Sequence, residues 1–398
     1  MAEARILKAL SVGCVMLLVL MGCSMFVAAK KDEEKVRCIV LFKDKVDKKL
    51  VEDCNGEITD TYDIIPGLVA DMTRDDMKEL KKSDKVKAVE EDAEAEILGN
   101  VDDEGKGKPG PAPTPTDWGV YKINADVVWP TNTGADIKVA VLDTGIDLDH
   151  TDLGTVYKGP DLINNDGIPD DDNGHGTHCA GIIAAQHNGI GVNGVAPDVE
   201  LWAVKVLNSG GSGSYSVIIS GINWAMNNHM QVISMSLSGT SASSALEAAC
   251  NNAKAAGVVI VAAAGNSGNT RTQYPAAYAS VISVGATDSN DAMASWSSYG
   301  SNLDLMAPGV NILSTYNNGG YSSMSGTSMA CPHVAGTVAL ILKTGSARAK
   351  LFGDKDDIWD PDDVQDCLQK TATDMKTSGW DKYTGYGLVN AQKAVGIA

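Results

Sequence analysis

Short apolar runs recur through the last two thirds of the chain, at 137–142, 201–206, 232–235, 258–261 and 281–284, and they are rich in β-branched side chains. Runs that are apolar at consecutive rather than alternate positions are expected of parallel strands buried on both faces. Between them, helices are expected at 216–228, 242–256 and 362–371, and two more opening at His175 and at Ser328, where small and apolar residues continue to Ala185 and Leu342. This alternation predicts an α/β fold on a doubly wound, mostly parallel sheet.

The first hundred residues carry a different pattern. Residues 36–42, 67–72 and 86–92 look like strands and 74–82 like a helix, which gives residues 35–98 the character of a small α+β module. Residues 99–116 are polar and rich in Gly and Pro, as in a linker. Ahead of the module, 1–29 opens with Arg5 and Lys8 and continues apolar, the pattern of an export signal. Two endings of that signal stay open: small residues at 27–29 suit ordinary cleavage, and 20–23 is similar to a lipoprotein box in which Cys23 would carry a lipid anchor. At 398 residues the chain exceeds one ordinary domain, and the remainder, 117–398, reads as a second and larger one.

Three short words place candidate chemistry on this frame. Asp143, in VAVLDTGID, ends the strand at 137–142, and open α/β sheets build their sites at that end. His175, in NGHGTHCAG, and Ser328, in SGTSMACPHVAG, each stand at a helix start, where free N–H groups favour negative charge. A serine hydroxyl needs an imidazole to take its proton, and the imidazole needs a carboxylate to fix its tautomer, so the three residue types belong together. Asn266, in AAAGNSG after the strand at 258–261, offers an amide donor for the oxyanion of an attacked carbonyl. A zinc site at His175, His178 and Cys179 lacks further ligands, since no CxxC or HExxH occurs, and no GxSxG elbow is present.

In order and spacing, DTGID, HGTHCAGIIAA, AAAGNSG and GTSMACPHVAG resemble the subtilisin-like serine proteases, from about Asp117 to the C-terminus. The resemblance implies that Asp143, His175 and Ser328 form the triad, that Asn266 is the oxyanion donor, and that His178 is structural. It implies that Gly211, Ser212 and Gly213, with Ser236, Leu237 and Ser238, pair with an extended protein or peptide substrate as added strands, and that the main side-chain pocket lies near Gln273. Residues 35–98 resemble the family's inhibitory propeptide, a ferredoxin-like module and here an intramolecular partner. The resemblance also implies Ca²⁺ at Asp152, nine residues after Asp143, with Gln186, Asn188, Ile190 and Val192 of the following loop, a set of hard oxygen ligands of the kind that suits it. Asp161, Asp166 and Asp170 resemble a second calcium loop.

The net charge of −19 opposes nucleic acid as a partner. Eight cysteines permit disulfides in an exported protein without fixing their pairing, and those beside the catalytic words suit buried thiols equally well. With that resemblance, the sequence predicts a secreted or surface-held monomeric endopeptidase, stabilised by calcium and made as a self-processing proenzyme. The competing class is a non-catalytic, calcium-dependent binding protein on the same scaffold.

Overall fold

The computed structural model describes residues 34–101, 118–345, 349, 351–352 and 358–397; the signal, Cys23 and most of the expected linker lie outside them. Six strands and two helices precede residue 102: β1 (Lys35–Phe42), α1 (Lys48–Asp53), β2 (Glu57–Thr61), β3 (Gly67–Thr73), α2 (Arg74–Leu80), β4 (Val86–Glu91), β5 (Glu94–Ile97) and β6 (Asn100–Val101). The first four strands pair antiparallel in the order β2-β3-β1-β4, the ferredoxin-like arrangement. Cys38, Val40 and Phe42 of β1 alternate onto one face, where Leu68, Met72 and Leu80 join them in a separate core. The linker reading stops short of its first residues. Asn100 and Val101 are backbone-paired to a strand of the larger domain.

That larger domain has seven parallel strands in the order β15-β14-β13-β11-β7-β9-β8. In chain order they are β7 (Lys138–Asp143), β8 (Val156–Asp161), β9 (Glu200–Lys205), β11 (Val232–Met235), β13 (Val259–Ala263), β14 (Ile282–Thr287) and β15 (Leu305–Pro308). Along β7, Val139 and Val141 enter one core while Ala140 and Leu142 enter the other, so the sheet is buried on both faces. Helices α4 (His175–Ala184) and α7 (Thr327–Lys343) cover the first face. The second is covered by α5 (Tyr215–Asn227) and α6 (Ser244–Ala255). A short helix α3 (Trp118–Lys122), the hairpin β16 (Ile312–Tyr316) and β17 (Gly320–Ser325), and C-terminal helices α8 (Pro361–Thr371) and α9 (Ala391–Val395) complete this part. Two-residue β12 (Leu237–Ser238) and β10 (Ser212–Ser214) are discussed below. Among the described residues no helix is long and apolar enough to cross a membrane.

Candidate active site

Asp143, the last residue of β7, and His175, the first of α4, are both fully buried, and Asp143 Oδ1 lies 2.8 Å from His175 Nδ1. Burial alone would lower the pKa of His175, but the Asp143 carboxylate overrides it and holds the imidazole well above its ordinary value. The carboxylate also accepts the Thr144 N–H at 2.7 Å. Its contact leaves Nε2 as the free edge of the imidazole, without a hydrogen-bond partner among the described residues.

Ser328 is the second residue of α7. Pro332 lacks an N–H, so it cannot donate to the Ser328 carbonyl four residues back. Ser236 Oγ, at 2.8 Å, and Cys179 Sγ, at 3.5 Å, donate to that carbonyl instead and fix the start of the helix. The Ser328 hydroxyl donates to the Ser236 carbonyl at 2.8 Å and accepts the Leu98 N–H at 3.0 Å. It is thus engaged with the chain in the groove rather than with His175.

The chain in the groove is the end of the N-terminal module. β5 runs antiparallel between β10 and β12, pairing Ser212 with Glu96, Gly213 with Ala95, Leu237 with Ile97 and Ser238 with Glu96. The Gly211 carbonyl accepts the Ile97 N–H at 2.9 Å. Five of the six residues expected to hold a peptide line this strand, which is the protein's own, while Ser236 is bonded through its hydroxyl and its carbonyl to Ser328. Beyond β5, Asn266 Nδ2 donates to the Leu98 carbonyl at 2.5 Å, while Asn266 Oδ1 accepts Thr327 N–H and Oγ1 at 3.0 and 2.9 Å. Those two bonds orient the amide. A Cβ on Gly326 would sit almost on the Leu98 oxygen, so only glycine leaves room for that carbonyl. A Cβ on Gly99 would lie 3.2 Å from His175 Nε2, which brings the free edge of the imidazole against the residue after Leu98. Asn100 and Val101 then pair with Ser325 and Met324 of β17. Gln273, expected near the main pocket, bridges Ser238 and Ser267 at 2.5 and 3.2 Å beside a cavity of about 190 Å³. A larger cavity, about 410 Å³, lies elsewhere, around Asp304 and Trp380.

Asp171 escaped notice in the sequence as anything but part of an acidic run. Buried, it accepts Thr144 Oγ1, Asn173 N and Gly174 N on one oxygen and Thr177 N and Oγ1 on the other, at 2.6–3.0 Å. It thereby ties the loop after Asp143 to the start of the His175 helix. Buried Lys205 adds a second tie, from Nζ to the Thr144 carbonyl and to Asp172. An acidic residue four positions before a helix-opening histidine was the available signal.

His178 is held apart from this chemistry. Its Nε2 lies 3.0 Å from the carbonyls of both Ile312 and Ser322, and burial lowers its pKa to about 3. Among the described residues, the one group of three metal-ligand types brought together is Asp143, His175 and Cys179. Burial raises the Cys179 thiol pKa and keeps the sulfur protonated, and Nδ1 already serves Asp143, a donor set that suits zinc poorly. The six described cysteines, Cys38, Cys54, Cys179, Cys250, Cys331 and Cys367, are free thiols.

The expected calcium residues separate into two cases. Fully buried Asp152 is wrapped by the 186–192 loop: it accepts Val192 N–H at 2.9 Å, Asn188 Nδ2 at 3.1 Å and the Tyr321 hydroxyl at 3.2 Å, and its own carbonyl accepts Gln186 N–H. A Cβ on Gly191 would overlap the carboxylate, so the loop closes tightly over it. Burial raises the Asp152 pKa. A desolvated carboxylate on the same loop as the Asn188 amide, whose Oδ1 now accepts the Ile190 N–H at 2.9 Å, supplies hard oxygens of the kind a cation such as calcium takes, although in this arrangement the carboxylate itself faces donors. Asp161, Asp166 and Asp170 differ, because each accepts nearby backbone N–H groups, from Ile163 and Asn164, from Ile168 and from Leu148 respectively. They do not converge as a three-carboxylate group.

Fold and site together define a serine endopeptidase whose groove is occupied by its own inhibitory segment. Residues 134–387 match the Subtilase family and residues 28–98 match Peptidase inhibitor I9, so the chain belongs to the subtilase family and is made as a proenzyme. It is 44% identical to the thermostable alkaline protease of Halalkalibacterium halodurans over 316 residues, covering 79% of this chain and 83% of that protein. It is 49% identical to subtilisin DY of Bacillus licheniformis over 282 residues (70% and 97%), and 42% identical to subtilisin E of Bacillus subtilis over 380 residues (92% and 92%).

Proposed function

We propose that the chain is a secreted, calcium-stabilised endopeptidase that releases itself by cutting the Leu98–Gly99 bond with Ser328, His175 and Asp143. The observation that carries this reading is the placement of that one peptide bond. Its carbonyl oxygen is on Asn266, its N-terminal residue's N–H is on Ser328 Oγ, and its leaving-group residue lies against His175 Nε2. Nitrogen and carbonyl carbon of one residue are about 2.5 Å apart, so the hydroxyl on the Leu98 nitrogen is near the carbon it would attack.

A change of Ser328 rotamer moves its proton from the Ser236 carbonyl towards His175 Nε2. The Ser328 oxygen then bonds to the Leu98 carbon as the imidazole takes the proton. Asn266 and the Ser328 N–H hold the developing oxyanion. Breakage of the C–N bond returns the proton to the Gly99 nitrogen, and water, deprotonated by His175, releases the acyl group and restores Ser328. The same residues would cut other extended peptides once β5 leaves, because pairing to β10 and β12 reads backbone.

Calcium would be held by Asp152 with oxygens of Gln186, Asn188, Ile190 and Val192, where its charge offsets the buried carboxylate and stiffens the loop after α4. Export is supported by the 1–29 pattern, and a lipid at Cys23 remains the alternative to free release. Mass spectrometry of the exported protein tests the reading. A mature form beginning at Gly99, absent from Ser328→Ala, is expected. Normal maturation of Ser328→Ala without added protease would overturn it.

A further inference from the structure

The track that holds the prosegment does not end with β10. Ser212, Gly213 and Ser214 face Glu96, Ala95 and Glu94 in turn, and the chain then enters the first turn of α5 without leaving its partner. Tyr215 N–H donates to the Ala93 carbonyl at 2.8 Å. Next, Ser216 N–H and Oγ donate to the two oxygens of the Asp92 carboxylate, at 2.9 and 2.5 Å. One continuous groove thus follows seven residues, Asp92 to Leu98.

The far end of this groove is built for a negative charge. α5 is thirteen residues long, and its N-cap residue, Ser214, makes no side-chain capping bond, so its first N–H groups depend on an outside acceptor. Ser216 is 95% buried under the prosegment, and among the described residues its hydroxyl has only Ser214 Oγ, at 2.8 Å, besides Asp92. A carboxylate seated at the helix start is also favoured by the macrodipole. When the prosegment departs, these donors lose their acceptor and stay in line with the groove.

We propose that the mature protease has a subsite for a carboxylate six residues before the residue whose carbonyl is attacked, formed by the N–H and hydroxyl of Ser216. Substrates carrying Asp at that position are cut preferentially. This rests on the reading that β5 occupies the groove as a substrate would. The neighbouring contact of Glu90, with Ser244 N–H and Ser243 Oγ, is excluded from the subsite. Glu90 is fixed by pairing with Ile39 inside the folded module, and an extended substrate lacks that support.

The test uses mature wild-type enzyme and quenched fluorogenic peptides with the sequence of residues 91–101, carrying Asp, Asn or Ala at position 92, plus one that starts at Glu94. Charge-assisted hydrogen bonds at a partly exposed helix start predict a five- to tenfold higher kcat/KM for the Asp peptide than for the Asn one, mostly through KM. The Ser216→Asp enzyme should reverse the order, because the two carboxylates repel. Should that precursor fail to mature, the wild-type comparison decides alone. Equal kcat/KM for all four peptides in wild type overturns the subsite, while failure to cut any of them overturns the reading of the groove itself.

Discussion

Replacing Asn266 with alanine isolates the contribution of one hydrogen bond to self-processing. In the precursor its Nδ2 donates to the Leu98 carbonyl, the oxygen that would become an anion in the proposed attack by Ser328. The donor is half-buried with the bond it serves and pre-aimed by the two Thr327 contacts, so it costs little reorganisation as charge develops. Removal of such an amide in subtilisin, the reference case for this effect, costs about 10²–10³ in turnover, or roughly 2.7–4 kcal/mol; that figure is taken over from the relative. A second effect follows from geometry here. Alanine also strands the Thr327 N–H and hydroxyl, a stability loss of about 1–3 kcal/mol. Asn266→Asp separates the two, because it keeps an acceptor for Thr327 while placing a negative charge beside the oxyanion. It should fold better than the alanine variant and process more slowly. The assay is first-order conversion of precursor to mature protein on a denaturing gel, at several concentrations to exclude cutting in trans. Conversion of Asn266→Ala within threefold of wild type would refute the argument.

Four other expectations follow. A protonated imidazole cannot accept the Ser328 proton, so self-processing should be slow at acid pH and rise as pH passes the raised pKa of His175, with a midpoint above 6.5; a midpoint at or below 6.5 would contradict the Asp143 influence. Asp143→Asn should cost about 10⁴ in rate by allowing the wrong tautomer. Chelation by EDTA should lower Tm by about 10 °C, the equivalent of about 4 kcal/mol at a thousandfold excess over Kd, and Asp152→Asn should abolish that sensitivity; an unchanged melting curve removes calcium from the account. Asp171→Asn should reduce kcat about 10–100-fold with little change in KM, since it loosens the tie between the Asp143 loop and the His175 helix; a change confined to KM would show that Asp171 acts on the groove instead.

How much could be read beforehand depended on whether a contact is local. Buried parallel strands advertise themselves as apolar runs, so the run ending at Asp143 and the run before Asn266 placed both side chains at the right end of the sheet. The words around His175 and Ser328 marked helix starts for the same reason. The strand Glu94–Ile97 went unnoticed because Glu-Ala-Glu-Ile is a weak pattern whose pairing partners lie more than a hundred residues away. Asn100–Val101 were hidden by polar composition. The helix Lys48–Asp53 and strand Glu57–Thr61 are short and bury little, and were likewise missed. Acidic residues at 161–172 looked alike in sequence, yet Asp171 turned inward while Asp161 and Asp166 closed local turns. No spacing rule separates those outcomes.

The central claim is that Ser328 is the nucleophile of the mature enzyme. Incubation with a fluorophosphonate followed by peptide mass mapping tests it most directly. The account predicts one adduct, on Ser328, that is lost in Ser328→Ala and slowed by added prosegment peptide. An adduct on another residue, or none in protein that still cleaves peptides, would contradict it.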